Sequence, residues 1–151
     1  MVEAKQVPVE AILKDKGTDI WSVSPDTPAF DAMSLMSNKN IGSILVMSEG
    51  LLIGILSERD YARKVLLGGK ASRKTLVGEI MTSPVITVSP FHSIDDCMRI
   101  ITAKRIRHLP VVENEKVLGV ISIGDLVNWI ISTQEETIQY LHGYITGRYP
   151  G

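Results

Sequence analysis

Val23-Ser24-Pro25 opens the stretch VSPDTPAFDAMSLMSNKNIGSILVMSEGLLIGILSERD, which ends at Asp60; the pattern restarts at Val88 as VSPFHSIDDCMRIITAKRIRHLPVVENEKVLGVISIGD, ending at Asp125. The two stretches align without a gap at an offset of 65. Val23/Val88, Ser24/Ser89, Pro25/Pro90, Asp31/Asp96, Met33/Met98, Lys39/Lys104, Ile41/Ile106, Val46/Val111, Gly54/Gly119, Ser57/Ser122 and Asp60/Asp125 are identical pairs. Many of the other pairs exchange one apolar residue for another. One copy alone cannot bury such faces, so the duplication implies two similar half-domains facing each other, with a ligand expected in the cleft between them.

Both copies change hydrophobic period in the same order. A Ser-Pro turn follows a short β-branched run and leads into a helical segment, with Phe30, Met33 and Met36 on one face of the first and Ile94, Cys97, Met98 and Ile101 on one face of the second. Thr27 before Pro28 reads as an N-cap with proline at the first helical position, and Ser93 with Asp96 as a capping box. Strands are predicted over Ser43–Met47, Leu52–Leu56, His108–Val112 and Val117–Ile121, joined by the polar turns Ser48-Glu49-Gly50 and Glu113-Asn114-Glu115. A second helix starts near Asp60 and near Asp125. The predicted fold class is α+β: two tandem, pseudo-symmetric β-α-β-β-α repeats over 7–67 and 77–131, a linker at 68–76, and a C-terminal helical tail over 132–151. Val9-Glu-Ala-Ile-Leu13 is echoed by Val77-Gly-Glu-Ile-Met81, but at an offset of 68, so the first copy carries three extra residues around Lys14–Gly17. In the tail, Ile131, Ile138, Leu141 and Ile145 suit a helix face, as one helix or two.

Bulk properties narrow the function. A chain of 151 residues buries enough surface to fold without a disulfide or metal. A net charge of −1 gives no electrostatic case for nucleic acid or an anionic membrane. The apolar runs Ile44–Met47 and Trp129–Ile131 are far short of the roughly 20 residues that span a bilayer. A single cysteine and a charged opening segment point to a cytoplasmic, reducing setting. His92, His108 and His142 lack metal-ligand spacing, so no metal is expected.

Chemistry concentrates at the end of each second strand, in Gly54-Ile-Leu-Ser57-Glu-Arg-Asp60 and Gly119-Val-Ile-Ser122-Ile-Gly-Asp125. A hydroxyl and a carboxylate three residues apart straddle a strand-to-helix turn, where backbone amides are unpaired and favour anions. The carboxylate can accept two hydrogen bonds from a ribose cis-diol, with the hydroxyl and amides left for a phosphate. Ser-x-x-Asp also simply caps helices; its recurrence in both copies favours a ligand, because caps tolerate several residue types.

With the paired phrases and Arg107-His108-Leu109-Pro110-Val111, the chain resembles a tandem cystathionine-β-synthase (CBS) domain pair, the adenosine-ligand-sensing Bateman module, from about Val7 to Ile131. The resemblance implies phosphate contacts at Ser57 and Ser122, ribose contacts at Asp60 and Asp125, and an adenine wall from Ile20 and Val85 with Ile41, Ile44, Ile106 and Leu109 nearby. His108 is implied near phosphate. Arg59, Arg63 and Arg107 are the expected phosphate partners, since a planar guanidinium suits phosphate, while Arg63 and Lys64 read equally well as a solvated helix face. The cations differ between copies, so two unlike sites are expected. The implied function is a stand-alone, non-enzymatic sensor of an adenine nucleotide, AMP first, with ADP, ATP or NAD(H) as alternatives. It would signal to an effector protein through a conformational or oligomeric change, as a homodimer using the faces near Met33, Met36, Met98 and Ile101. The competing readings are a structural dimerisation module and a nucleotide hydrolase.

Overall fold

The Ser-Pro turns, alternating strands and periodic helices take shape in a computed structural model that describes residues 6–17 and 19–133. In chain order the elements are α1 (Glu10–Lys16), β1 (Ser22–Val23), α2 (Ala29–Lys39), β2 (Ser43–Ser48), β3 (Leu51–Ser57), α3 (Glu58–Tyr61), α4 (Val77–Ile80), α5 (Ile94–Lys104), β4 (His108–Glu113) and β5 (Lys116–Ser122). After α3 the chain widens into a π-helical turn over Ala62–Leu66, with Leu67 and Lys70 amides bonded to the carbonyls of Ala62 and Val65. Residues 123–133 are helical. The expected helical tail over 132–151 lies almost wholly outside the described residues.

The described residues divide into two compact units, one of residues 19–87 with 112–117, the other of 6–17, 88–111 and 118–133. In the first unit β1 pairs parallel with β2 (Ser22↔Leu45, Val23↔Val46), and β2 pairs antiparallel with β3 from Ser43↔Ser57 to Ser48↔Leu51. The hairpin closes through Glu49 and Gly50, both at positive φ (52° and 77°), the turn whose twist matches two paired strands. Ala29, Ala32 and Met36 of α2 pack with Ile44, Val46, Leu56, Val65, Val77 and Ile80 to form the core.

Two expectations for α2 are corrected. Phe30 is 39% exposed, with the Arg73 guanidinium 4.2 Å from its ring centroid, so the buried face runs through Ala29 and Ala32 instead. Thr27 is not a cap. Pro28 holds the N-cap position without a side-chain bond, and the amides of Ala29 and Phe30 donate to the carbonyls of Thr75 and Ser72 at 2.7 and 3.1 Å. The backbone of the linker thus satisfies the orphan donors that a hydroxyl would otherwise accept.

In the second unit Ser93 and Asp96 form the expected capping box, at 3.0 and 3.3 Å, and α5 buries Ile94, Cys97 and Ile101. β4 and β5 form a two-stranded sheet through Asn114 and Glu115, again both at positive φ. The strand expected before Ser89 shrinks to one parallel bridge, Val88↔Val111, in the register of Val23↔Val46. Proline explains the loss. Leu45 donates its amide to Trp21 O at 3.3 Å, whereas Pro110, the aligned residue, has no N–H to give.

The opening helix of each copy packs in the unit built on the other copy. At α1, Val9 and Glu10 donate to the carbonyls of His92 and Pro90, and Ile94 donates to Val7 O. At α4, Val77 and Gly78 donate to Thr27 O and Pro25 O, and Thr82 exchanges both backbone bonds with Ile55 at 2.8 and 3.0 Å. The glycine of each phrase is the contact point: a Cβ at Gly119 would stand 2.6 Å from Leu13 Cδ2, and one at Gly54 would run into the Met81 thioether. Units in space and repeats along the chain are therefore different partitions of the same residues.

Burial also removes part of the expected dimer face. Met36 and Ile101 are 1% and 2% exposed.

Candidate functional site

Each phrase bends from strand to helix at its serine, and the same reciprocal bonds form at both turns. Ser57 Oγ accepts from the Asp60 amide and Asp60 Oδ2 accepts from the Ser57 amide, each at 3.1 Å. Ser122 Oγ accepts from the Asp125 amide at 3.1 Å and Asp125 Oδ2 from the Ser122 amide at 2.8 Å. Both serine-aspartate pairs are thus capping boxes. A carboxylate offers about four lone-pair positions, so one amide bond leaves acceptor capacity in hand.

A backbone bond fixes the next strand against each turn: Glu58 donates to Gly42 O at 3.1 Å and Ile123 to Arg107 O at 2.8 Å. That bond carries Arg107, exposed, and His108, half-buried, to the turn holding Ser122 and Asp125. At the other turn the aligned residues are Gly42 and Ser43, and a cleft of about 290 Å³ opens beside it, lined by Met33, Met36, Ile41, Gly42 and Glu58 among others. The expected asymmetry in cations therefore has a physical form.

Each turn also pairs its aspartate with a lysine. At Asp60 the paired cation is Lys64, itself exposed, 3.7 Å from Oδ1 and donating to Ile80 O at 2.9 Å. Arg59 and Arg63 are exposed and form no ion pair among the described residues. The Thr82 hydroxyl lies 3.3 Å from both Asp60 oxygens. At Asp125 the partner is Lys16, whose Nζ is 2.5 Å from Oδ2 and 2.9 Å from Val120 O. Asp125 Oδ1 has no hydrogen-bond partner among the described residues. Lys64 was visible as the i+4 partner of Asp60. Lys16 sits in the three-residue excess of the first copy, which was the available signal.

The residues expected to wall an adenine fall into three classes. Ile20 is 38% exposed; Val85, Ile41 and Ile106 are half-buried; Ile44 and Leu109 are 1% and 0% exposed. Ile44 belongs to the core cluster of its unit.

Electrostatics follow from this packing. Burial pushes the Asp125 carboxyl up, but the Lys16 hydrogen bond, the Ser122 amide and the Lys16 charge outweigh it and hold the group below the ordinary carboxylate value. Burial, with Lys16 and Arg107 nearby, pushes His108 down against the opposing pull of Asp125, which favours its neutral imidazole. Burial and Asp96 raise the Cys97 thiol to about 11, as befits a core side chain. A folded-state carboxyl pKa below the unfolded one stabilises the protein above the unfolded value, and that share is lost as pH falls through the folded value. In melting curves below pH 5, the advantage of the native protein over Asp125→Asn is expected to shrink towards acid. An advantage that stays constant would show that Lys16 does not hold the charge.

Among the described residues there is no cluster of three or more metal-ligating side chains, and no helix is long and apolar enough to cross a membrane. The CBS domain family model matches residues 9–67 and again 77–132. The CBS domain-containing protein CBSX3, mitochondrial, of Arabidopsis thaliana is 36% identical, covering 93% of this chain and 73% of that protein. A solved protein with CBS domains from Burkholderia ambifaria is 46% identical with a TM-score of 0.82, covering 85% of this chain and 96% of its own. The CBS domain pair of protein MJ0100, solved with 5′-methylthioadenosine and S-adenosyl-L-methionine, shares the fold at 22% identity and a TM-score of 0.74, covering 84% of this chain and 98% of its own.

Proposed function

The chain belongs to the CBS-domain family, carrying two copies of the domain, and we propose that it is a regulatory module that binds an adenine nucleotide, AMP ahead of ADP, ATP and NAD(H). CBS domain pairs are regulatory modules for adenosine-derived ligands, and MJ0100 was solved with two of them. The observation that carries the reading here is the repetition of one turn. Twice, a carboxylate with acceptor positions to spare stands beside a serine and within reach of a lysine. A ribose diol needs the acceptor and a phosphate needs the cation. Ser57, Asp60 and Lys64 serve one turn; Ser122, Asp125, Arg107 and His108 serve the other.

The testing experiment is a thermal-shift panel on nucleotide-stripped protein with AMP, ADP, ATP, NAD, NADH, S-adenosylmethionine and adenosine. Ligand at 100 times its Kd adds about 2.7 kcal/mol to folded-state stability, a rise of several degrees. AMP is expected to give the largest rise. The capping boxes favour one competing account, a structural dimerisation module in which Ser and Asp serve the backbone alone; a flat panel would establish it.

The reading extends to signalling. A ligand shifts a conformational or oligomeric equilibrium only by its differential affinity for the two states, and an effector protein then reads the shift. The protomers form a homodimer through faces that include the partly exposed Met33 and Met98. Light scattering at micromolar concentration is expected to give twice the chain mass of 16.6 kDa; any other mass would refute that assembly. A cytoplasmic setting is part of the same reading; the Arabidopsis relative is mitochondrial by name.

A further inference from the structure

Lys16 lies outside both aligned stretches, yet it occupies the carboxylate on which the second phrase turns. Its ammonium bonds Asp125 Oδ2 and Val120 O. In the other unit the aligned residue of Val120 is Ile55, and the residue paired with Ile55 is Thr82, whose hydroxyl sits 3.3 Å from Asp60. One turn therefore carries a neutral hydroxyl where the other carries a cation. That cation is built to be released: its side chain is 41% exposed, on a flexible stem with three donors, one of which the Val120 carbonyl holds without Asp125.

We propose that Lys16 makes the Asp125 site selective for an anionic over a neutral form of the same nucleoside ligand. The proposal rests on the reading that Asp125 accepts ligand hydroxyls. In the free protein the ammonium is held on Asp125. A ligand whose vicinal hydroxyls claim the carboxylate must loosen that bond. A neutral nucleoside offers the ammonium nothing in exchange, and leaves it with its balancing carboxylate engaged elsewhere. A ligand with a phosphate supplies a new partner, so the lysine passes from the protein's anion to the ligand's. At Asp60 the neutral Thr82 sets no such condition, and Lys64 stands farther off at 3.7 Å.

The test is calorimetric titration of the full chain with AMP and with adenosine, in an Asp60→Asn background that leaves the Asp125 turn as the reporting site. Variants Lys16→Met and Lys16→Arg are compared with the unaltered lysine. Lys16→Met is expected to weaken AMP by about tenfold or more, the weight of one charge-assisted hydrogen bond, while adenosine is unchanged or tighter. Lys16→Arg should keep the preference for AMP. Equal weakening of both ligands, or no change in either, overturns the assignment while leaving the Asp125 site intact. If the protein with Lys16 present binds neither AMP nor adenosine, the nucleotide reading and the proposal fall together.

Discussion

Asp125→Ala is expected to lower affinity for AMP by about 10–150-fold, the range set by losing a hydrogen bond to a charged group worth roughly 1.5–3 kcal/mol. The same substitution removes a helix cap, which costs about 0.5–2 kcal/mol of stability. Asp125→Asn separates the two effects, since its amide oxygen still accepts from the Ser122 amide and a neutral cap is nearly as good as a charged one. Asparagine should therefore restore most of the stability while leaving AMP binding impaired, because a ribose diol that donates two bonds finds one acceptor oxygen instead of two. Calorimetry with AMP and urea unfolding of both variants decide the matter. If Asp125→Ala loses stability but keeps its affinity, the residue is a cap and nothing more.

Leu109→Ala is the second large effect, and it falls on folding. Leu109 has no exposed surface, and truncating a buried leucine typically costs about 2–5 kcal/mol in lost transfer energy and residual cavity. That is a large share of a small domain's stability. Its position in the Leu-Pro-Val strand made it an expected neighbour of adenine, yet its burial makes it a core residue first. Ile20→Ala, at a site 38% exposed, is expected to cost little by comparison. Urea midpoints with and without AMP distinguish the roles. Preserved stability with weakened binding at Leu109 would return it to the ligand wall.

Features encoded locally are legible in the sequence. Both hairpins, with their two-residue turns, follow from short apolar runs broken by polar residues, and the Ser93–Asp96 box is a four-residue pattern. What escaped depended on distant partners. Thr27 lost its cap because the acceptors for α2 come from Ser72 and Thr75. Lys16 reaches Asp125 across 109 residues, a pairing no periodicity encodes. Phe30 looked like core because apolar spacing cannot tell a cation-covered ring from a buried one. The missing strand before Ser89 was readable in principle, since Pro110 replaces the donor at Leu45. Of the site, the paired serines and aspartates were legible as residues and Lys64 by its i+4 spacing, whereas the pairing of Lys16 with Asp125 was not.

The exchange of opening helices has a consequence for how the two copies diverge. α1 is encoded beside the first phrase but lines the second, and α4, encoded ahead of the second copy, closes against the first. Drift in one half of the gene is therefore felt by the product of the other half. A change at Leu13 alters the packing against Gly119, and a change at Lys16 alters Asp125. After the duplication neither copy was free to specialise alone: each inherits part of its environment from its twin, and a fragment carrying a single copy would lack the helix that completes it.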